Sequence, residues 1–330
     1  MRIAVLGSGT IGQSWCALFL AAGHSVVAYD PDLAMEERII DFVQAARPAL
    51  ENLGYWFAGS VEQFRFSKSA TDAVEDAQFI QENAPEKTNL KHALFSEIES
   101  HLDPEAVILS STSGITLEAL QQGLNDPGRI VIAHPFNPPH LIPLIELLAN
   151  DETEQLVMER VRKFYESLGK VPVELKKSIP GHIANRIQAV VWQEALHLAQ
   201  EGVASLSDID KAIANGPGLR WSIYGPNQLF SLAAGDRGLE GFIEHLGPSF
   251  QDWWSSAGRV ELNSTMMDMV RQHFIANDIH ERFPSAESFL VLPIIQVKVF
   301  AGGVDVPEVA KDDGCPDGLV FGIGDPRFSL

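Results

Sequence analysis

The sequence predicts an α/β chain: a doubly wound, mostly parallel sheet over residues 1–178, then an all-α region over residues 179–330 that ends in an irregular tail. Three observations carry this. A short apolar run, Arg2-Ile3-Ala4-Val5-Leu6, passes directly into Gly7-Ser8-Gly9-Thr10-Ile11-Gly12 and an apolar helix. Strand-like and helix-like stretches then alternate as far as Glu174. Past a charged turn containing Pro180 and Gly181, the apolar residues fall only at helical spacing.

The elements follow in order. Residues 2–6 read as a buried parallel strand. The helix from about Thr10 to Ala22 is apolar through Ile11, Trp15, Leu18 and Phe19, and Gly23 closes it. Ser25 to Tyr29 is a second strand, ending at Asp30. Residues 33 to about 53 form a long charged helix. Residues 64–67 and 78–82 are short strands, the second leading through Asn83-Ala84-Pro85-Glu86 into a helix containing Leu90 and Phe95. Strand 106–110, helix 116–122 and strand 130–133 bring the chain to His134. Helix 152–168 and strand 171–174 complete the sheet domain. In the helical half, Ile183, Ile187, Val190, Val191 and Ala195 share one helix side, and Ser207-Asp208 opens another helix. Residues 289–300 are strongly apolar, and residues 304–330 read as an irregular Gly/Pro/Asp-rich tail.

Bulk composition bounds the function classes. The 330 residues suffice for two cored domains, with 45% hydrophobic and 21% charged residues as in an ordinary globular enzyme. A net charge of -20 offers no basic footprint for nucleic acid or an anionic membrane. No apolar run is long enough to span a bilayer, and the N-terminus lacks a signal-peptide pattern. Two cysteines, Cys16 and Cys315, make no disulfide framework, so a cytoplasmic location is expected. No metal-ligand cluster is read.

The glycine turn is a Rossmann-type dinucleotide fingerprint in its proper strand–turn–helix setting. Gly7 permits the tight turn, Gly9 lets a pyrophosphate approach the backbone, and Gly12 lets helix and strand pack closely. The helix N-terminus supplies amide donors and the positive end of a dipole. Asp30 closes the second strand, where it would accept from the adenosine ribose hydroxyls and repel a 2′-phosphate. NAD is therefore expected rather than NADP.

Ser110-Ser111-Thr112-Ser113, Ala133-His134-Pro135-Phe136-Asn137-Pro138-Pro139 and Leu144-Ile145-Glu146 fall near strand C-terminal ends, where ligands of such sheets sit. Oxidising a secondary alcohol sends a hydride to NAD and a proton to a base, and imidazole suits that proton. Glu146 on the other ring nitrogen of His134 would fix the tautomer and stabilise the imidazolium. Ser113 and Asn185 are donors suited to an oxygen gaining carbonyl character.

Together with Pro180-Gly181-His182-Ile183-Ala184-Asn185-Arg186, these motifs make the chain resemble the 3-hydroxyacyl-CoA dehydrogenase family over about residues 1–250. The resemblance is nearest to the branch acting on small free acids, the L-gulonate and L-carnitine dehydrogenases. It implies His134 as catalytic base, Glu146 as its paired acid, Ser113 touching substrate oxygen and nicotinamide, and Asn185 holding the substrate oxygen. It further implies Glu86 and Lys91 near the nicotinamide ribose, Thr10 and Ile11 as backbone contacts to the pyrophosphate, and a homodimer joined through the helical domain.

Purely structural roles stand beside these. Ser113 and Asn185 are also capping types, Glu86 suits a first helical turn, and Lys91 suits a solvated helix face.

In Gly218-Leu219-Arg220-Trp221-Ser222-Ile223-Tyr224, Arg220 is expected to bind a substrate carboxylate, with Trp221 and Tyr224 shaping the pocket. A salt bridge is the alternative for Arg220. Phe250, Trp253 and Trp254 suit either core packing or a cage for a trimethylammonium group.

Three rival functions remain. A true 3-hydroxyacyl-CoA dehydrogenase needs basic residues for the CoA phosphates, and residues 36–68 offer only Arg38, Arg47, Arg65 and Lys68. A 6-phosphogluconate-type enzyme would use a central lysine. A non-catalytic, crystallin-like NAD-binding protein would not need the Ser113, His134, Glu146 and Asn185 set.

Overall fold

A computed structural model describes residues 1–55 and 60–277. The apolar run 289–300 and the tail lie outside the described residues.

Among the described residues, eight strands form one sheet: β1 (Arg2–Leu6), β2 (Ser25–Tyr29), β3 (Phe64–Ser67), β4 (Phe79–Glu82), β5 (Val107–Ser110), β6 (Ile130–Pro135), β7 (Leu144–Leu148) and β8 (Val171–Leu175). Their order across the sheet is β3-β2-β1-β4-β5-β6-β7-β8. The pairings from β3 to β6 are all parallel, β7 runs antiparallel to β6, and β8 is parallel to β7. Strand order reverses between β1 and β4, so the loops after those two strands flank the switch point of a doubly wound sheet.

The helices that cover the sheet are α1 (Thr10–Ala21), α2 (Met35–Asn52), α3 (Ala70–Val74), α4 (Thr88–Ile98), α5 (Leu117–Gln121) and α6 (Gln155–Ser167). Strand residues alternate between faces, and the two cores sort accordingly. Ile3, Val5, Val26, Ala28, Val131 and Ala133 pack with α1, α2 and α6. Ala4, Leu6, Ile80, Ile108, Ile130 and Ile132 pack with α3, α4 and α5. Phe79 of β4 stacks on Phe164 of α6 at 4.1 Å, and Trp15 and Phe19 of α1 meet Tyr165 and Phe164 at 5.7 and 5.8 Å, which ties α6 to the sheet and α1 to α6.

The β6–β7 link is tied to α1. Ser14 Oγ accepts from the His140 amide at 2.9 Å and lies 2.8 Å from His140 Nδ1. One hydroxyl thus ties both the backbone and the ring of His140 to α1. Burial, reinforced by Lys170, lowers the His140 pKa from 6.5 to about 4. A depressed histidine contributes stability that is present above its unfolded pKa and lost as pH falls toward its folded value. Thermal melts should therefore show stability falling from about pH 6.5 toward about pH 4, with a shallower fall in His140→Gln.

The C-terminal region contains α7 (Ala184–Gln200), α8 (Leu206–Asn215), α9 (Pro217–Trp221), α10 (Pro226–Ala233), α11 (Gly238–Ser256) and α12 (Ser264–Asn277). The cap of α8 is Ser205, two residues before the expected opening, because its Oγ accepts the Asp208 amide at 3.1 Å and its hydroxyl donates to the Asp208 carboxylate at 2.7 Å. Of the apolar side predicted for α7, Ala195 is buried, whereas Ile183, Ile187 and Val190 are exposed. Trp253 and Trp254 are exposed too, though both rings contact Phe250. Among the described residues, no helix is long and apolar enough to cross a membrane.

Candidate active site

The dinucleotide turn is shaped as its glycines require. Gly7 has φ +86°, and a Cβ there would lie 2.7 Å from the Asn83 carbonyl. A Cβ on Gly12 would fall 2.0 Å from the Gly7 carbonyl oxygen. Nothing lies within 4 Å of a Cβ placed on Gly9, which leaves open space in front of the turn. Thr10 and Ile11 open α1, whose first turn holds no acid and whose first amides have no intrahelical acceptors. Asp30 Oδ2 accepts from the Ser8 amide at 2.7 Å, so the acid is held against the turn. Glycine packing, open space, unpaired amides and a tethered acid together fit a bound dinucleotide.

On the other side of the switch point, carboxylates organise the loops. Glu82, at the end of β4, is fully buried; its Oε1 accepts from Lys91 Nζ at 2.5 Å and from the Ala84 amide at 2.6 Å, and its Oε2 from Ser110 at 2.5 Å. Lys91 is thus a buried partner of Glu82, lying 3.8 Å from Glu86, rather than a solvated helix charge. Glu86 precedes α4 and turns toward the serine loop. Its Oε1 accepts from Thr112 Oγ1 at 2.6 Å, the Ser113 amide at 3.0 Å and the Gly114 amide at 2.7 Å. Burial would push the Glu86 carboxyl up, but these donors and Lys91 outweigh it and hold the pKa below the usual carboxylate value. Ser113 is therefore fixed through its backbone and exposes its side chain, while Thr116 is the cap of α5.

His134 and Glu146 are direct register partners across the antiparallel β6–β7 pair. Directly opposed residues share a sheet face, so the side chains meet. His134 Nδ1 donates to Glu146 Oε2 at 2.9 Å, and Glu146 Oε1 accepts from the Ile183 amide at 2.8 Å and the Ala184 amide at 3.0 Å. These amides belong to the start of α7, whose dipole also favours the carboxylate. Burial would raise the Glu146 pKa; the His134 bond and the two amides overcome this and hold it below the usual range. Asn185, half-buried, lies in the first turn of the same helix.

Sequence reasoning assigned no role to His182, although its motif was noted. Its ring lies parallel to that of His134, with centroids 4.4 Å apart and planes 11° apart. Glu82 was missed as well. Arg220 and Trp221 stand exposed on α9, and among the described residues the Arg220 side chain makes no ion pair. The geometry thus gathers His134, Glu146, His182 and the start of α7 into one cluster, and Glu86, Lys91 and the Ser113 loop into another.

The comparisons agree with this layout. The family model described as 3-hydroxyacyl-CoA dehydrogenase, NAD binding domain, matches residues 2–178, and that of the C-terminal domain matches residues 181–271. The chain belongs to the 3-hydroxyacyl-CoA dehydrogenase family. It is 41% identical over 269 residues to the L-carnitine dehydrogenase of Streptomyces coelicolor, covering 82% of this chain and 85% of the relative. It is 39% identical over 294 residues to that of Oceanobacillus iheyensis, covering 88% and 96%. A solved structure of 5-formyl-3-hydroxy-2-methylpyridine 4-carboxylic acid 5-dehydrogenase, an NAD+-dependent dismutase, superposes with TM-score 0.77 at 27% identity, covering 92% of this chain and 99% of that one. The chain is an NAD-dependent oxidoreductase.

Proposed function

We propose that this family member oxidises the 3-hydroxyl of a small 3-hydroxy acid, L-carnitine foremost, to the 3-keto acid, with His134 as the base. The observation that carries this reading is the His134–Glu146 pair at 2.9 Å. With its Nδ1 proton committed to Glu146, the ring presents the lone pair of Nε2 to the substrate hydroxyl. As the O–H proton passes to Nε2, the imidazolium gains a carboxylate counter-charge already in place. NAD held by the glycine turn would supply the acceptor for the hydride that leaves the carbinol carbon. Ser113 and Asn185 donate to the oxygen as it becomes a carbonyl. Gly7, Gly9, Thr10, Ile11, Gly12 and Asp30 hold the dinucleotide, and Glu86 and Lys91 shape the loops beside its nicotinamide end.

Arg220 binds the substrate carboxylate, Trp221 lines the pocket, and the exposed faces of Trp253 and Trp254 suit a trimethylammonium group. A free acid is favoured over a CoA thioester because Arg47 is paired with Glu51 and Arg65 with Asp72, which takes two of the basic groups a CoA phosphate would need. The working form is a cytoplasmic homodimer: Ile187, Val190, Trp192 and Leu219 leave a broad apolar surface on the helical half.

The test is NADH formation with L-carnitine, L-gulonate, 3-hydroxybutyrate and a 3-hydroxyacyl-CoA. Turnover should be fastest with L-carnitine, and Arg220→Met should raise its KM at least about tenfold. Preferential use of the CoA ester would reject the free-acid reading.

A further inference from the structure

His182 carries chemistry that the His134–Glu146 pair does not use. It is 4% exposed and adopts φ +51°, a left-handed conformation that side chains rarely take, directly after Gly181 at φ +76°. The strained turn is closed by the His182 amide donating to the Ile179 carbonyl at 3.1 Å. Backbone strain of this kind persists where the surroundings over-determine it. Here it lays one imidazole flat upon another.

The ring's protonation follows from what surrounds it. The charged or titratable groups that face it are His134 beneath it, Glu146 on β7 and Glu86 at the start of α4. Two imidazolium rings 4.4 Å apart would repel strongly, so the stacked pair holds one proton at most beyond the neutral state. Burial, then His134, holds the His182 pKa below the usual histidine value against the opposite pull of Glu146 and Glu86. His182 Nδ1 is sealed from solvent and has no hydrogen-bond partner, whereas Nε2 is not sealed. A neutral ring protonated on Nδ1 would bury an unpaired N–H, which interiors avoid more strictly than an unpaired acceptor. The proton therefore sits on Nε2.

We propose that His182 is a second working imidazole of the site, whose Nε2–H donates to the substrate oxygen beside the proton-accepting nitrogen of His134. One ring takes the proton from the hydroxyl; the other steadies the oxygen as it becomes a carbonyl. Over the reaction His182 gains and loses no proton. Its contribution is a hydrogen bond that tightens in the transition state. This inference rests on the hydroxy-acid reading above.

The test uses the full-length enzyme with NAD and L-carnitine. His182→Phe keeps a flat ring for the stack and removes the N–H; His182→Asn restores a donor in a residue that tolerates left-handed backbone. His182→Phe is expected to lower kcat at least about tenfold with NADH affinity unchanged, and His182→Asn to recover part of that loss. A His182→Phe enzyme within threefold of wild-type kcat would overturn the proposal, as would a well-folded His182→Asn enzyme no faster than His182→Phe. Nitrogen-15 NMR of the histidine rings reads the assignment without turnover: an Nε2–H tautomer upholds it, and an Nδ1–H tautomer overturns it. If the wild type oxidised no hydroxy acid, the proposed function would fail, while the NMR result would still decide the placement of the proton.

Discussion

Replacing His134 with Asn should lower kcat by about 10²–10⁴-fold while NADH still binds with near wild-type affinity. Among the described residues, the dinucleotide turn, Asp30 and α1 make no hydrogen bond to His134, so removing the imidazole should remove the base and leave the cofactor cradle intact. Glu146→Gln should cost nearly as much, for a different reason. Its side-chain oxygen can still accept from the Ile183 and Ala184 amides, which turns its NH2 group toward His134 Nδ1. That nitrogen must then accept, the ring proton moves to Nε2, and the base is lost with its tautomer. The double variant should be little slower than His134→Asn alone, because the two residues act as a unit. Single-turnover NADH formation and NADH fluorescence titration measure both quantities. The same carboxyl sets a pH dependence. Because its folded pKa lies below the usual value, it contributes stability that is present above its unfolded pKa and lost as pH falls through the folded one. Glu146→Gln should flatten that acid limb in thermal melts.

Gly9→Ala and Gly12→Ala should separate cofactor binding from folding. Gly9 has φ -63°, which alanine adopts, and a Cβ there meets no protein atom within 4 Å. The variant should melt like the wild type yet bind NADH at least about tenfold more weakly, since the methyl occupies the space left for the pyrophosphate. A Cβ on Gly12 falls 2.0 Å from the Gly7 carbonyl oxygen, so α1 must shift off the turn. Overpacking of this kind costs about 1–3 kcal/mol or more. Gly12→Ala should therefore lose both melting temperature and affinity. Equal losses in the two variants would mean that the turn is not used as described.

The legible parts of this chain are those whose chemistry is local. The β1–α1–β2 unit announces itself because strand, glycine turn, helix and acid are contiguous. The His134–Glu146 pairing was readable from the motifs shared with the family rather than from spacing, since eleven residues with four prolines separate the two. That β7 is a strand at all was not, since Leu144-Ile145-Glu146-Leu147-Leu148 is buried on both faces and shows no alternation. The buried Glu82–Lys91 pair was hidden for a related reason: no local pattern tells a charge at a strand end that it will meet a lysine one helix later. The His182 stack is tertiary, produced by a left-handed residue that nothing but the preceding glycine foreshadows. Arg220 and Trp221 remain at the surface of the helical half, where a sequence gives chemistry without an address.

Glu146 spends one oxygen on the histidine and the other on the first amides of α7. The group that would tune the proposed base is thus also the rivet between the sheet and the helix that follows. A fragment ending near residue 178 would keep its grip on the dinucleotide and still be chemically mute. On the proposed function, cofactor affinity would be a property of one half, and turnover would belong to the seam.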